Sequence, residues 1–238
     1  MSGNLLAMVG QVCDELAIPK PTAVAAGTDP QTRRLFGLAK RQLESMSRRY
    51  FWQQLTKIGS FTTLGTETQG TLATIATDLD GSRIRQDSMV NRTRKWVVKG
   101  PMSPADWQRM ETFTVAVYPR FRCYSGQLYI LPIPTAGDSV YFEYSTVNFA
   151  VSAGGTGKPT FTLDTDTIQL DGDLFMMGLK WRMRSALGQP FAEEMREYEE
   201  SLFNLSVQDA GGSKTLDAGG MVATNLPSAM VPDGSWNV

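Results

Sequence analysis

The sequence predicts an α+β fold: a helical bundle body with an inserted antiparallel β module and an extended C-terminal tail. Apolar residues recur at three- and four-residue steps near both ends of the chain, whereas its middle is rich in Thr, Gly and β-branched residues cut by turn signals. The last stretch loses all periodicity. A chain of 238 residues suits one core with one inserted module. The expected divisions are 1–58 for the N-terminal helices, 59–150 for the β-rich module, 151–208 for a loop and the C-terminal helices that complete the body, and 209–238 for the tail.

From Asn4 to Ala17, Leu5, Met8, Val9, Val12 and Leu16 mark one face of a short amphipathic helix closed by Ile18-Pro19. Pro19, Pro21, Gly27 and Pro30 punctuate the link that follows. Thr28 or Asp29 can cap the next helix, with Pro30 at its first position, where the missing N–H costs nothing. That helix is expected from Gln31 to about Gln54, with Leu35, Ala39, Leu43, Met46 and Tyr50 on its apolar face. After Gly59 the period changes. Short strands are expected at Phe61–Leu64, Thr71–Ile75, Arg83–Arg85, Trp96–Val98, Thr112–Tyr118, Arg120–Tyr124, Leu128–Leu131 and Ser139–Tyr144, with a helical turn at Ser103–Met110. Helix returns after Asp171-Gly172-Asp173, with Asp173 as the expected N-cap, Leu174, Met177 and Trp181 on one face, and Gly188 and Pro190 at its end. Phe191, Met195, Tyr198, Leu202 and Leu205 then form a seam for packing on another helix.

Composition excludes more than it asserts. With 42% hydrophobic and 20% charged residues the chain is of ordinary globular type, and 23 cations against 24 acids leave a net charge of -1, without the basic excess of a dedicated nucleic-acid binder. There is no histidine, which removes the commonest general base, the commonest metal ligand and every Ser-His or Cys-His dyad. The two cysteines, Cys13 and Cys123, read as small buried residues rather than a disulfide or a zinc site. The start MSGNLLAMVG has neither a basic region nor a long apolar run, so a signal peptide or membrane anchor is not expected there, and no stretch is apolar enough to cross a bilayer.

Several motifs fail on their spacing. Gly154-Gly155-Thr156-Gly157-Lys158-Pro159 resembles a phosphate loop, but Ser152 stands where the first Gly is needed and Pro159 where a Ser or Thr would hold the metal. A calcium loop begun at Asp164 would put Gln169 at its glycine and Phe175 at its bidentate Glu; turns and a helix cap account better for Asp164, Asp166, Asp171 and Asp173. No cofactor is expected. Arg92-Thr-Arg-Lys-Trp96 and Arg120-Phe-Arg-Cys-Tyr124 fit either a single-strand stacking surface or plain alternation on a half-exposed strand. Arg34, Arg41 and Arg48 recur every seven residues, widened by Arg33, Lys40 and Arg49, and Glu193, Glu194, Glu197, Glu199 and Glu200 load the last helix with acid. Each reads as a solvated face or as a contact surface.

The order of parts carries a resemblance: a helix, a longer Arg-rich helix ending Arg48-Arg49-Tyr50-Phe51-Trp52, a β module with Leu128-Tyr-Ile-Leu-Pro-Ile-Pro and Val140-Tyr-Phe-Glu-Tyr, two helices containing Leu179-Lys-Trp-Arg-Met-Arg, and a Gly-rich tail. Over residues 5 to 208 this resembles the head-to-tail connector (adaptor) proteins of tailed bacteriophages, the tail-tube-type adaptors of short-tailed phages. The resemblance implies a virion protein made in the host bacterial cytoplasm, without enzymatic activity. It would assemble as a ring, usually of twelve copies, beneath the portal protein, extend the channel for double-stranded DNA and dock nozzle or fibre proteins below. Arg34, Arg41 and Arg48 of one copy and Glu193, Glu197 and Glu200 of the next are then the expected lateral contact. A tail without a core of its own is expected to be held by another copy, another protein or its own domain. The resemblance implies a tail that reaches up to the portal, with Leu216, Met221, Leu226, Met230 and Trp236 as the expected portal contact. Two other readings stand beside this one: a nucleic-acid-binding accessory protein, and a cell-wall hydrolase working with two carboxylates.

Overall fold

A computed structural model describes residues 3–112 and 118–209. The chain is α+β, and its two regions each have a hydrophobic core. Helices α1 (Leu5–Glu15), α2 (Pro30–Arg49), α5 (Gly172–Ala186) and α6 (Ala192–Asp209) form the helical body. Between α2 and α5 run α3 (Leu72–Ile75), α4 (Pro104–Thr112) and eleven strands: β1 (Thr56–Thr62), β2 (Thr68–Thr71), β3 (Leu79–Ile84), β4 (Val90–Asn91), β5 (Trp96–Val97), β6 (Arg120–Tyr124), β7 (Gln127–Leu131), β8 (Ser139–Thr146), β9 (Ala150–Val151), β10 (Gly157–Lys158) and β11 (Thr167–Ile168).

The helical core follows the sequence periodicity. Leu5, Met8, Val9 and Val12 of α1, Leu35, Ala39, Leu43 and Met46 of α2, Leu174, Phe175, Leu179 and Met183 of α5, and Tyr198 and Leu202 of α6 are all buried in one cluster. Phe149, Ala150, Phe161, Ile168 and Leu170 join it, so the small β10-β9-β11 sheet belongs to the body. At the α2–α5 crossing Gly178 faces the fully buried Gln42, whose Nε2 lies 1.8 Å from where a Cβ at 178 would sit. Gln42 Oε1 accepts a hydrogen bond from Arg182 Nε at 2.7 Å.

The second core lies between a sheet ordered β1-β8-β4-β5, with β3 also on β8, and a β2-β7-β6 sheet. The named strands pair antiparallel, with β1 running along β8 from Thr56 opposite Ser145 to Thr62 opposite Ser139, and an isolated parallel bridge joins Lys99 to Arg120. Gly59 sits opposite Phe142, whose ring occupies the space of the missing side chain, 2.7 Å from an added Cβ. Phe121, Leu128, Ile130, Val140 and Phe142 fill the interior.

Four of the differences from expectation have a local physical reason, beside shifts such as that of the strand expected at Arg83–Arg85, which runs from Leu79 to Ile84. Helix α2 stops at Arg49 rather than Gln54, because Tyr50 is extended and the Trp52 indole turns back to donate to the Met46 carbonyl at 2.9 Å. Strand β1 starts at Thr56, before the expected Phe61; its exposed Lys57, Ile58 and Ser60 hide the apolar alternation. Thr71–Ile75 is a strand only to Thr71, whose Oγ accepts from the Thr74 N–H and turns Leu72–Ile75 into one helical turn. Asp171, not Asp173, caps α5, accepting from the Leu174 N–H at 2.7 Å. The turn expected at Ser103–Met110 is helix α4, and the strand expected at Thr112–Tyr118 lies largely outside the described residues.

Ion pairs join the two regions. Asp80 of β3, with a side chain 6% exposed, meets Arg48 of α2 at 3.0 Å and Arg83 at 3.3 Å. Arg83 also donates to the Tyr50 carbonyl at 2.7 Å. Asp78 accepts from Lys57, from the Tyr144 hydroxyl at 2.6 Å and from Thr146 Oγ at 2.9 Å.

Asp166 is fully buried, faces Lys158 at 2.9 Å, and accepts from the Thr162 and Leu163 N–H groups at 2.7 and 2.8 Å. Burial opposes ionisation of Asp78 and Asp166. Their cationic and hydrogen-bond partners outweigh it and hold both carboxyls down at about 2. A carboxyl whose folded pKa lies below its unfolded value contributes stability that is complete above about pH 4 and lost as pH falls through about 2. Each is worth roughly 2 kcal/mol at neutral pH. Thermal unfolding followed from neutral pH to about pH 2 should show this loss, and Asp166→Asn should flatten it. An Asp166→Asn protein as acid-sensitive as the parent would contradict the assignment.

Candidate functional site

The charged faces of α2 and α6 are the candidate site. Helix α2 forms because Asp29 caps it, accepting from the Thr32 N–H at 2.8 Å, and because its apolar residues share one side. That packing turns Arg34, Gly37, Arg41, Glu44 and Arg48 outward, all exposed. Helix α6 seats Tyr198 and Leu202 in the core and turns Glu193, Arg196, Glu200, Phe203 and Val207 outward. Helix α2 carries six cations and one carboxylate, whereas α6 carries six carboxylates and one cation.

The expected residues are not equivalent in the structure. Arg48 pairs with Glu44 on its own helix and with Asp80, so it fastens α2 to the β module. Among the described residues, Arg33, Arg34, Lys40 and Arg41 form no ion pair. On α6, Glu193 and Glu200 share Arg196, the latter at 3.5 Å. Glu194 pairs with Arg184 at 2.7 Å, and Glu199 reaches Arg49 of α2 at 3.1 Å. The two charged helices therefore touch within one chain through Arg49 and Glu199, with Arg34 and Arg41 left outward. Glu197 has no ion pair among the described residues.

Sequence reading missed Arg182. It extends the cationic side of α2: half-buried, its Nε on Gln42 and its guanidinium 4.5 Å from the Trp181 ring centre. Burial lowers its pKa and the charge of Arg41 lowers it further, against opposing contributions from Tyr198 and Glu199. No spacing rule announces such a residue, since it joins the patch through the α2–α5 packing.

Other candidate residues are engaged within the chain. Arg92 lies 3.7 Å from the Tyr141 ring centre, Arg94 pairs with the buried Asp138 at 2.7 Å, and Arg122 lies over Tyr124, which stacks on Tyr129 at 4.0 Å. Phe121, between Arg120 and Arg122, is buried, the alternation of a half-exposed strand. Gly154, Gly155 and Thr156 lie in the loop between β9 and β10, Gly157 is in β10, and Lys158 is ion-paired with Asp166. Asp164 accepts from the Val24 and Ala25 N–H groups at 3.0 and 2.7 Å and anchors the α1–α2 link. Among the described residues no group of three or more His, Cys, Asp or Glu side chains is placed to hold a metal ion.

At the C-terminal end of α6 a cleft of about 280 Å³ is lined by Trp52, Leu170, Leu174 and Leu205, with Gln54, Asp171, Gln208 and Asp209 at its polar edge. Asp209, the last described residue, accepts from the Gln53 N–H at 2.7 Å at this rim. Leu216, Met221, Leu226, Met230 and Trp236 lie outside the described residues. Among the described residues no helix is long and apolar enough to cross a membrane. No protein-family model matches the chain, and no curated protein is significantly similar to it.

Proposed function

We propose that this chain is a structural virion protein, a head-to-tail adaptor that forms a ring under the portal, extends the DNA channel and docks the nozzle or fibres of the tail. It acts by binding and geometry rather than by turnover. The observation that carries this reading is the opposite charge of two exposed helix rows on one helical body, the cations of α2 and the carboxylates of α6. Two unlike patches on one chain favour a heterologous contact, which propagates from copy to copy and closes when the rotation allows. The resemblance in the order of parts supports the same reading, and a net charge of -1 suits a channel through which DNA must slide.

Magnitudes favour assembly on a template. Exposed ion pairs contribute about 0.2–1 kcal/mol each, whereas association costs some 4–15 kcal/mol of lost translational and rotational freedom. A few such pairs do not hold a ring together in free solution; a portal that gathers the copies supplies the missing local concentration. The tail is the segment proposed to reach the portal. Removing the residues after Gln208 is expected to leave the body folded and to abolish joining to portal-bearing heads in a sedimentation assay. Joining at the parent level would remove the tail from this role.

A second reading has one observation in its favour. Arg33, Arg34, Lys40 and Arg41, with Arg182 beside them, are cations that a phosphate backbone could use. It predicts DNA affinity of the free protein that falls steeply with salt.

A further inference from the structure

The outward rows of α2 and α6 have the same spacing. Arg34, Gly37, Arg41, Glu44 and Arg48 advance by steps of three, four, three and four; so do Glu193, Arg196, Glu200, Phe203 and Val207. Each row averages 3.5 residues per turn, so it drifts only about 20° per heptad and presents a nearly straight seam. The rows also match in chemistry. Arg-Gly-Arg on α2 is the complement of Glu-Arg-Glu on α6: two cations answer two carboxylates, and the long central Arg196 answers the residue without a side chain. Gly37 has nothing within 4 Å of an added Cβ, so the space beside it is open.

We propose that α2 of one copy packs antiparallel on α6 of the next, with Arg41 facing Glu193, Gly37 under Arg196 and Arg34 facing Glu200. This contact rests on the ring-adaptor reading and gives it a register. The antiparallel direction opposes the two helix dipoles. It also carries Phe203 and Val207, 60% and 41% exposed, past the start of α2 toward the exposed Pro30 and Ala26. The parallel register would instead set them against Glu44 and Arg48, which are already paired with each other. Arg196 bridges Glu193 and Glu200 in the single chain, so docking converts that triad into an alternating line of five charges, Arg41, Glu193, Arg196, Glu200 and Arg34. Arg48 and Glu197 fall outside the line.

The test uses the full chain in two versions, Gly37→Cys and Arg196→Cys, one of them mass-tagged, mixed together with isolated portal rings under mild oxidation, because free copies are expected to stay monomeric. Cys13 is buried, and burial pushes the Cys123 thiol up to about 11, so the native thiols stay in the background. A disulfide between the two versions is expected at about tenfold or more the yield of either version alone, falling severalfold near 0.5 M salt, where the Debye length shrinks. A second pair, Arg41→Cys mixed with Glu193→Cys, keeps Arg196 in place and should behave the same way. Equal yields in mixed and unmixed samples, or no mixed product from either pair, would overturn the register. The two readings fail separately: a ring on portals without the mixed disulfide sinks the register alone, whereas the mixed disulfide without a ring on portals sinks the adaptor reading and leaves the contact.

Discussion

Gly178→Leu is expected to lower stability by about 3 kcal/mol or more, because overpacking at a closed helix crossing forces side chains off their rotamers and moves the backbone. The residue in the way is Gln42, fully buried, with three side-chain atoms within 2.7 Å of the added Cβ. Alanine at a helical glycine gains up to about 1 kcal/mol of propensity, so position 178 sacrifices helix stability for the approach of α2. Expelling the amide also removes the acceptor of Arg182 Nε. The cause is checked by a compensating change. Gly178→Leu with Gln42→Ala swaps large and small across the interface and should recover about half the loss in denaturant unfolding. If Gln42→Ala merely added its own destabilisation, the crossing would not be packed as described.

The larger functional effect is expected from reversing charge. Arg34→Glu with Arg41→Glu should abolish ring formation on portals while leaving thermal stability within about 0.5 kcal/mol of the parent, since both side chains are exposed. Two attractions per interface become repulsions. At exposed-pair strength that amounts to roughly 2 kcal/mol, or about 30-fold in each contact, and the loss recurs at every interface of the ring. Adding Glu193→Arg, Arg196→Glu and Glu200→Arg to the same chain restores the alternating pairing everywhere at once, because each interface then carries the reversed charges on both sides and Arg196→Glu keeps the partners that ion pairing along α6 requires. Rings formed by the fivefold variant but not the twofold one are the expected pattern in negative-stain images. Rings formed by both would mean that these side chains do not carry the lateral contact.

Much of the fold was legible because packing and periodicity agree. Leu5, Met8, Val9 and Val12 fall on one helical face and are buried, and Asp29-Pro30 marks the start of α2 by chemistry that needs no tertiary context. The misread boundaries depend on contacts distant in sequence or on local competition. The Trp52 indole ends α2 by turning back to Met46, and Thr71 prefers to cap a helical turn over extending a strand. The candidate site was half legible. The seven-residue recurrence of Arg34, Arg41 and Arg48 is visible in the chain, but only the fold shows that Arg48 is tied to Glu44 and Asp80 while Arg34 and Arg41 form no ion pair among the described residues. Gly37 and Arg196 carry no motif of their own. Their meaning comes from the opposite rows of two helices far apart in sequence.

The ring-adaptor reading is tested most directly by the mass distribution of the purified protein, alone and after mixing with isolated portal rings. A monomer that converts to a discrete ring-sized complex only in the presence of portal is the result this account predicts. Monomer under both conditions, with portal rings competent to bind their other partners, would contradict it.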